Sequence, residues 1–241
     1  MKRLILLAFL FTWLLSAETV LGQPALLSRA DSLFTAGKYT ESFGIYDEIL
    51  TANKQYSPAM LMKMAYIKEG LNQYSEALYY LNLYYLKTAD QAVLAKMDEL
   101  AQARNLRGYS VNDQDIIYTF FYRYYPYMIG ALMALAILML ALVYRERFRL
   151  NQSGKVPAFF MLAVLAVLFY LLNFGLSYDK GIVNDSTAYL MEGPSAGADV
   201  VEVIGKGHRL EINGKKDVWI KTSWDNRPVY IKASKLKPVT F

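Results

Sequence analysis

The sequence contains no cysteine and only one histidine, His208. Without cysteine there is no disulfide framework, no thiolate nucleophile and no cysteine metal site. One histidine cannot build a metal cluster by itself, and because it falls in a predicted loop no Ser/His/Asp set forms around it. Phosphate-binding loops are also missing, since SGKV lacks an earlier glycine and GKGH has no helix after it. The sequence therefore predicts a protein that is not an enzyme and needs no cofactor.

Charge is missing from two long stretches, 124–144 and 156–178. Each is about long enough to cross a hydrocarbon core of ~30 Å. The alternative is a buried helical hairpin of a soluble protein, but such a hairpin should show a polar face, and neither stretch has one. We predict two transmembrane helices with these bounds.

The connecting loop, 145–155, is rich in basic residues and has a single acidic one, Glu146. Short loops rich in Lys and Arg stay on the cytoplasmic side of a membrane, so we expect this loop to be cytoplasmic. A second role, contact with lipid headgroups, stays open. The residues that set the topology are Arg145, Arg147, Arg149 and Lys155.

Residues 1–22 have a basic start and a short apolar core, Leu4 to Leu15, followed by small residues suited to cleavage near Ala17 or Gly22. This pattern predicts a secretory signal peptide, with an uncleaved anchor as the alternative. The predicted signal peptide and the basic loop, 145–155, both place residues 23–123 and 179–241 outside the cytoplasm. The predicted location is a bacterial inner membrane, crossed more than once, with both outer domains in the periplasm.

Residues 23–107 contain two similar stretches, GKYTESFGIYDEIL and LNQYSEALYYLNLYY, offset by 35 residues from Tyr39 to Tyr74. Periods of about this length are typical of stacked helix pairs, in which a small residue lets the helices approach and aromatic side chains fill the gap. The residues Tyr39, Ser42 and Tyr46 correspond to Tyr74, Ala77 and Leu81.

The region from Leu26 to Ala89 resembles the tetratricopeptide repeat family. Gly37 and Tyr39 match the turn and first aromatic of a second helix, while Ala30 and Ala65 match the small residue of each first helix. Arg29 departs from the family, since a leucine is typical there and a charge must reach solvent or a partner. The resemblance implies a concave partner groove, with ordinary packing as the alternative for each single member. Its members are Leu27, Asp31, Phe34, Met62, Tyr66 and Glu69.

A further helix, Asp90 to Arg104, is predicted to cap the stack, with Ala92, Leu94, Met97 and Leu100 on one side. It is followed by a juxtamembrane aromatic segment, 108–123, in which Asn112 and Asp115 resemble a helix start. Amphipathic rings settle at the headgroup level, so we predict an interfacial belt; a docking surface in the bilayer plane is the alternative. Its rings are Tyr118, Phe120, Phe121 and Tyr122, and Tyr124, Tyr125 and Tyr127 continue the belt.

In residues 179–241 apolar and polar residues alternate, and turn-forming residues interrupt the alternation. This pattern predicts about five short strands. YLMEGPS, GKGHRLEI and RPVYIKASKLKPV resemble parts of the bacterial SH3 family, which implies a small all-β barrel. That resemblance implies a shallow groove framed by aromatic rings, while completion of a small core is the alternative. His208 is expected to be exposed on a loop. The groove candidates are Tyr189, Trp219, Trp224 and Tyr230.

Taken together, the order of signal peptide, tetratricopeptide-like helical hairpins, two-helix transmembrane hairpin and SH3-like barrel resembles the BatE-like proteins of the bacterial aerotolerance (Bat) operons. The resemblance implies a non-enzymatic membrane scaffold that works beside von Willebrand factor type A proteins and a MoxR-type ATPase in envelope stress. A peptidoglycan-binding membrane protein is the alternative, and a sensor is a third. The net charge of +5 does not point to nucleic acid, because basic residues flank the apolar runs.

Overall fold

The computed structural model describes residues 24–110, 113–150, 153–174 and 179–240. Within these ranges seven α-helices are followed by eight β-strands, so the chain combines helical and antiparallel β parts. It divides into two compact units, Met1–Ile67 and Lys68–Phe241. The predicted signal peptide, 1–22, lies outside the described residues.

The first unit contains helices α1 (Pro24–Thr35) and α2 (Tyr39–Thr51) and the start of α3 (Pro58–Gly70). Gly37 makes the tight turn between α1 and α2 with a positive φ of 76°, which glycine adopts without steric cost. The two helices approach closely where the Ser42 hydroxyl donates a hydrogen bond of 2.8 Å to the Ala30 carbonyl. Both residues are completely buried, so this small pair sets the spacing of the helices.

The second unit begins with helices α4 (Tyr74–Thr88) and α5 (Gln91–Gln102). Helix α4 buries side chains around most of its circumference, which makes it the central helix of the unit. Asp90 caps α5 by accepting a hydrogen bond from the Ala92 backbone amide. The expected apolar side of α5 needs one correction: Ala92 is exposed in the capped first turn, and Val93 is buried instead.

Helix α6 (Asp113–Tyr144) is continuous, so most of the predicted aromatic segment and the first predicted span form a single helix. A π-helical turn, Arg145–Arg149, follows it, and α7 (Lys155–Phe174) returns beside it. The Tyr125 hydroxyl donates a hydrogen bond of 2.8 Å to the Leu171 carbonyl between the two helices. Residues 111–112, 151–152 and 175–178, which include Asn112 and the end of the second predicted span, lie outside the described ranges.

Both helices of this hairpin are long and apolar enough to cross a membrane. In the most apolar 18-residue part of each helix, 0% and 6% of the residues are buried within the protein, whereas the core helix of a soluble protein is mostly buried. This exposure opposes the soluble-hairpin alternative and favours a membrane protein.

The β domain has eight described strands rather than the five expected, because irregular turns divide the chain more often than the sequence pattern shows. A five-stranded antiparallel sheet has the order β3-β2-β7-β6-β5, and a three-stranded antiparallel sheet has the order β4-β1-β8. The strands are β1 (Lys180–Val183), β2 (Ala188–Met191), β3 (Val200–Ile204), β4 (Arg209–Glu211), β5 (Gly214–Lys216), β6 (Trp219–Trp224), β7 (Arg227–Lys232) and β8 (Leu236–Pro238).

The core of the β domain lies on one face of the larger sheet and includes Leu190, Ile220, Val229 and Ile231. Leu236, from the smaller sheet, belongs to the same buried cluster. The two sheets therefore share one apolar core, as a small domain requires.

Candidate interaction surfaces

A polar cluster links helices α1, α2 and α3 in the first unit. Asp31 accepts a hydrogen bond of 2.7 Å from the Lys63 ammonium and another from the Tyr46 hydroxyl. Burial of the Asp31 carboxyl pushes its pKa upward, but these two donors outweigh burial and leave the pKa below its ordinary value. Burial, and the hydrogen bond to Asp31, raise the pKa of Tyr46. Asp31 is thus engaged in holding the three helices together.

Beside this cluster lies an aromatic triad formed by Phe34, Tyr39 and Tyr66. The ring centroids are 5.4 Å, 5.8 Å and 5.9 Å apart, each pair in an edge-to-face arrangement. Tyr66 is 56% exposed and Tyr39 is 39% exposed, and the Lys63 ammonium lies 5.5 Å from the centre of the Phe34 ring. Exposed tyrosine rings of this kind are favourable anchors for a bound peptide.

The six predicted groove residues do not all contribute to this surface. Phe34 and Tyr66 come together in the triad, Asp31 lies next to it, and Leu27 and Met62 are half-buried in the same unit. Glu69 belongs to the second unit, where its carboxylate pairs with the Lys96 ammonium at 3.0 Å. That hydrogen bond raises the pKa of Lys96.

The four predicted groove residues of the β domain lie on opposite faces of the larger sheet. Strand register pairs Lys221 with Tyr230 and Met191 with Tyr230, so alternation places Tyr189, Trp219 and Tyr230 on one face. Trp224 faces the other side and belongs to the core cluster. The four rings therefore do not frame one groove. Tyr189 is 52% exposed, whereas Trp219 is buried.

Trp224 is covered from several directions. Its indole nitrogen donates a hydrogen bond to Glu202, the His208 ring stands edge-on at 5.5 Å, and the Arg107 guanidinium lies 4.9 Å from the ring centre. Arg107 also pairs with Asp225 at 3.0 Å. Contact with Arg107 was not expected from the sequence, because Arg107 lies between two helices more than a hundred residues earlier in the chain.

We call residues Leu106–Ser110 the linker segment, and this segment lies against the β domain. The His208 Nδ1 atom accepts a hydrogen bond of 3.1 Å from the Arg107 amide, and the Arg209 amide donates one of 3.0 Å to the Arg107 carbonyl. The Arg209 side chain donates from Nε to the Gly108 carbonyl at 2.6 Å. Tyr109 is buried, and its hydroxyl donates to the Gly207 carbonyl at 2.8 Å.

His208 is therefore half-buried and acts as a hydrogen-bond acceptor, which corrects the expectation of an exposed loop residue. Burial lowers the pKa of His208, the Arg107 guanidinium lowers it further, and Glu202 opposes them. The neutral ring is the form that can accept the Arg107 amide hydrogen.

Arg209 also ties the β domain to the central helix α4. It is almost fully buried, and its guanidinium donates a hydrogen bond of 3.0 Å to the Asn82 side-chain oxygen. Lys237 adds a second contact, with its ammonium 3.7 Å from the centre of the Tyr79 ring. A third link joins α4 to the hairpin of α6 and α7, since Arg123 donates a hydrogen bond to the Thr88 carbonyl.

A polar cavity of about 400 Å³ opens between the linker segment and the β domain. Its charged groups include Lys180, which pairs loosely with Glu211 at 3.9 Å, and the Arg107–Asp225 pair. The cavity thus presents charges of both signs rather than a basic or acidic field.

The four basic residues predicted to set the topology lie at the turn of the apolar hairpin. Arg145, Arg147 and Arg149 fall in the π-helical turn, and Lys155 begins α7. All four are exposed. The Tyr144 and Phe148 rings lie 4.9 Å apart on the same turn, so basic and aromatic groups share it.

Among the described residues no group of three or more His, Asp or Glu side chains is arranged to hold a metal ion. Comparison with known proteins adds no assignment: no protein family, no curated protein and no solved structure matches this chain. The surfaces described above are therefore the basis for a functional hypothesis.

Proposed function

We propose that this protein is a non-enzymatic membrane scaffold that presents two outer parts for protein–protein interaction in a Bat-type aerotolerance or envelope-stress complex. The observation that carries the proposal is the composition of the second unit, in which an apolar hairpin, a helical pair and a β domain form one compact body. Binding surfaces fixed to the same membrane anchor raise the effective concentration of partners for one another.

In this proposal the basic turn, 145–155, is cytoplasmic, and the tetratricopeptide-like helices and SH3-like domain face the periplasm of a bacterial inner membrane. The aromatic triad of Phe34, Tyr39 and Tyr66 is the main partner contact. The expected partners are von Willebrand factor type A proteins that work with a MoxR-type ATPase, in keeping with the resemblance to BatE-like proteins.

Site-specific photo-crosslinking tests the scaffold. A photo-reactive amino acid at position 66 should give discrete crosslinks in membranes, and these should include von Willebrand factor type A proteins. Tyr39→Ala should weaken the crosslinks, because Tyr39 completes the triad. Thr40→Ala, which changes an exposed neighbour, is the matched control. Equal crosslinks in both variants would contradict the assignment of the triad as a partner contact.

Peptidoglycan binding is a second candidate, favoured by the exposure of Tyr189 on the β domain. An exposed ring can pack against the apolar face of a sugar. Full-length protein in detergent should then sediment with purified peptidoglycan, and Tyr189→Ala should reduce the bound fraction severalfold. Thr187→Ala, at another exposed position of the domain, should not. Absence of sedimentation would contradict peptidoglycan binding.

A further inference from the structure

The linker segment is held against the β domain in the manner of a bound peptide. Its Arg107 backbone uses both the amide and the carbonyl in hydrogen bonds to the His208–Arg209 stretch. Main-chain hydrogen bonds supply affinity when an extended peptide binds beside a strand, and side-chain pockets supply specificity. Here the Arg209 amide supplies one main-chain bond and the His208 side chain accepts the other, while the Arg107 side chain covers Trp224 and Tyr109 is buried.

Close approach at Gly108 restricts which peptides can fit. Gly108 has a positive φ of 93°, and a Cβ atom added to it would lie 2.0 Å from the Arg209 carbonyl oxygen. Gly207, on the β domain side, has a positive φ of 105°, which strains any other residue, and a Cβ atom there would lie 2.9 Å from the flexible end of the Leu106 side chain. Both sides of the contact therefore require glycine, and the surface is shaped for Leu-Arg-Gly-Tyr.

The contact is also built to be reversible. The Arg107–Asp225 ion pair is more than half exposed on both sides, so it adds little to stability. What holds the segment is a few hydrogen bonds, one buried ring and its attachment to the same chain. Attachment through short connections gives an effective concentration in the millimolar range, which outcompetes a free peptide of modest affinity.

We propose that the Trp224 side of the β domain is a peptide-binding surface, specific for an Arg-Gly-Tyr sequence, and that the chain's own linker segment keeps it closed. A partner that carries an Arg-Gly-Tyr stretch gains access when the linker segment leaves. The proposal rests on the proposed role in protein binding but concerns a different surface from the aromatic triad, so the two can fail separately.

The test uses full-length protein in detergent and a fluorescent synthetic peptide with the chain's own residues 104–111. Gly108→Ala should displace the linker segment, because the added methyl group overlaps the Arg209 carbonyl. We expect this variant to bind the peptide on the order of tenfold more tightly than the wild-type protein, by fluorescence anisotropy. A peptide with alanine in place of its glycine should not bind.

Gly70→Ala is the matched control, because a Cβ atom there meets no other atom within 4 Å. It should bind the peptide as weakly as the wild-type protein. Tyr109→Ala is a second opening variant, because it removes the buried ring that holds the linker segment and changes no residue of the β domain. It keeps the test valid if Gly108→Ala misfolds. If neither opening variant binds the peptide more tightly than the wild-type protein, the proposal is wrong.

Discussion

Thr222 is a polar residue buried in the apolar core of the β domain. Its hydroxyl is fully buried and has no hydrogen-bond partner among the described residues. Strand alternation places it on the core face between Ile220 and Trp224, opposite Val229. A buried hydroxyl without a partner costs free energy that an apolar group of the same shape does not.

Thr222→Val should therefore raise the free energy of unfolding by about 1–2 kcal/mol. Valine keeps the branched shape and suits a β-strand. Denaturant unfolding of the full-length protein, followed by tryptophan fluorescence, measures the change. Thr222→Ser, which keeps the hydroxyl and loses the methyl group, should lower stability. A decrease with valine would contradict the prediction and show that the hydroxyl is bonded in solution.

His208 should make the closure of the linker segment depend on pH. Its pKa is lowered from 6.5, so the unfolded chain binds a proton more readily than the folded protein. The contribution of the neutral ring is fully present above about pH 6.5 and is lost as the pH falls through the lowered pKa. Protonation removes the acceptor for the Arg107 amide and places a positive charge beside the Arg107 guanidinium.

We expect stability to fall as the pH drops below about 6.5, together with faster proteolysis at the linker segment. His208 is the only histidine in the sequence, so no other side chain has its ordinary pKa in this range. His208→Asn is the control, because its amide oxygen can replace the Nδ1 acceptor and does not titrate. An equal pH dependence in the wild-type protein and in His208→Asn would contradict this prediction.

At the scale of elements, the approach of helices α1 and α2 depends on the small residue Ala30. Ala30→Leu should lower the free energy of unfolding by about 1–3 kcal/mol, because a larger side chain forces apart helices that are joined by the Ser42–Ala30 hydrogen bond. Ala25→Leu, an exposed position of the same helix, should have little effect. Thermal unfolding followed by circular dichroism compares the two, and equal midpoints would count against close packing here.

Helices α1 and α2 also show which secondary-structure elements could be predicted from the sequence. Small and aromatic residues at helical spacing predicted helical hairpins, and the burial of Ala30, Ser42 and Ala77 follows from that spacing. Alternation along β6 could likewise have separated Trp219 from Trp224, because five positions apart in a strand means opposite faces. The resemblance matched Trp219 and Tyr230, which share one face of the sheet, whereas Trp224 belongs to the core on the other face.

The linker segment could not be predicted from the sequence pattern. It lies between two helices, has no periodicity, and makes its contacts with residues about a hundred positions later. Its only local signal is Gly108, whose positive φ and close contact with Arg209 become evident only in the folded chain. Long-range contacts of irregular segments leave no repeating pattern of residue types in the sequence. The contact of the linker segment with His208 was therefore not predicted, and His208 was wrongly expected to be exposed.

At the scale of the whole molecule, the proposed topology depends on the charge of the turn in the apolar hairpin. The turn carries three arginines within a single π-helical turn. Short loops rich in positive charge are retained in the cytoplasm, so we propose that the other ends of both helices lie outside. The Arg123–Thr88 and Arg209–Asn82 hydrogen bonds join α4 to the hairpin and to the β domain within one compact unit. In the proposed topology, α4 and the β domain therefore lie together on the outer side.

Single cysteines test this orientation, because the natural sequence contains none. Ser234→Cys, at an exposed position of the β domain, should react with a membrane-impermeant maleimide in spheroplasts. Ser153→Cys, in the basic turn, should react only after the membrane is permeabilised. Labelling of Ser153→Cys from outside, with protection of Ser234→Cys, would show that the topology is the reverse of the proposed one. The proposed partner surfaces would then face the cytoplasm, and a periplasmic Bat-type scaffold would be excluded.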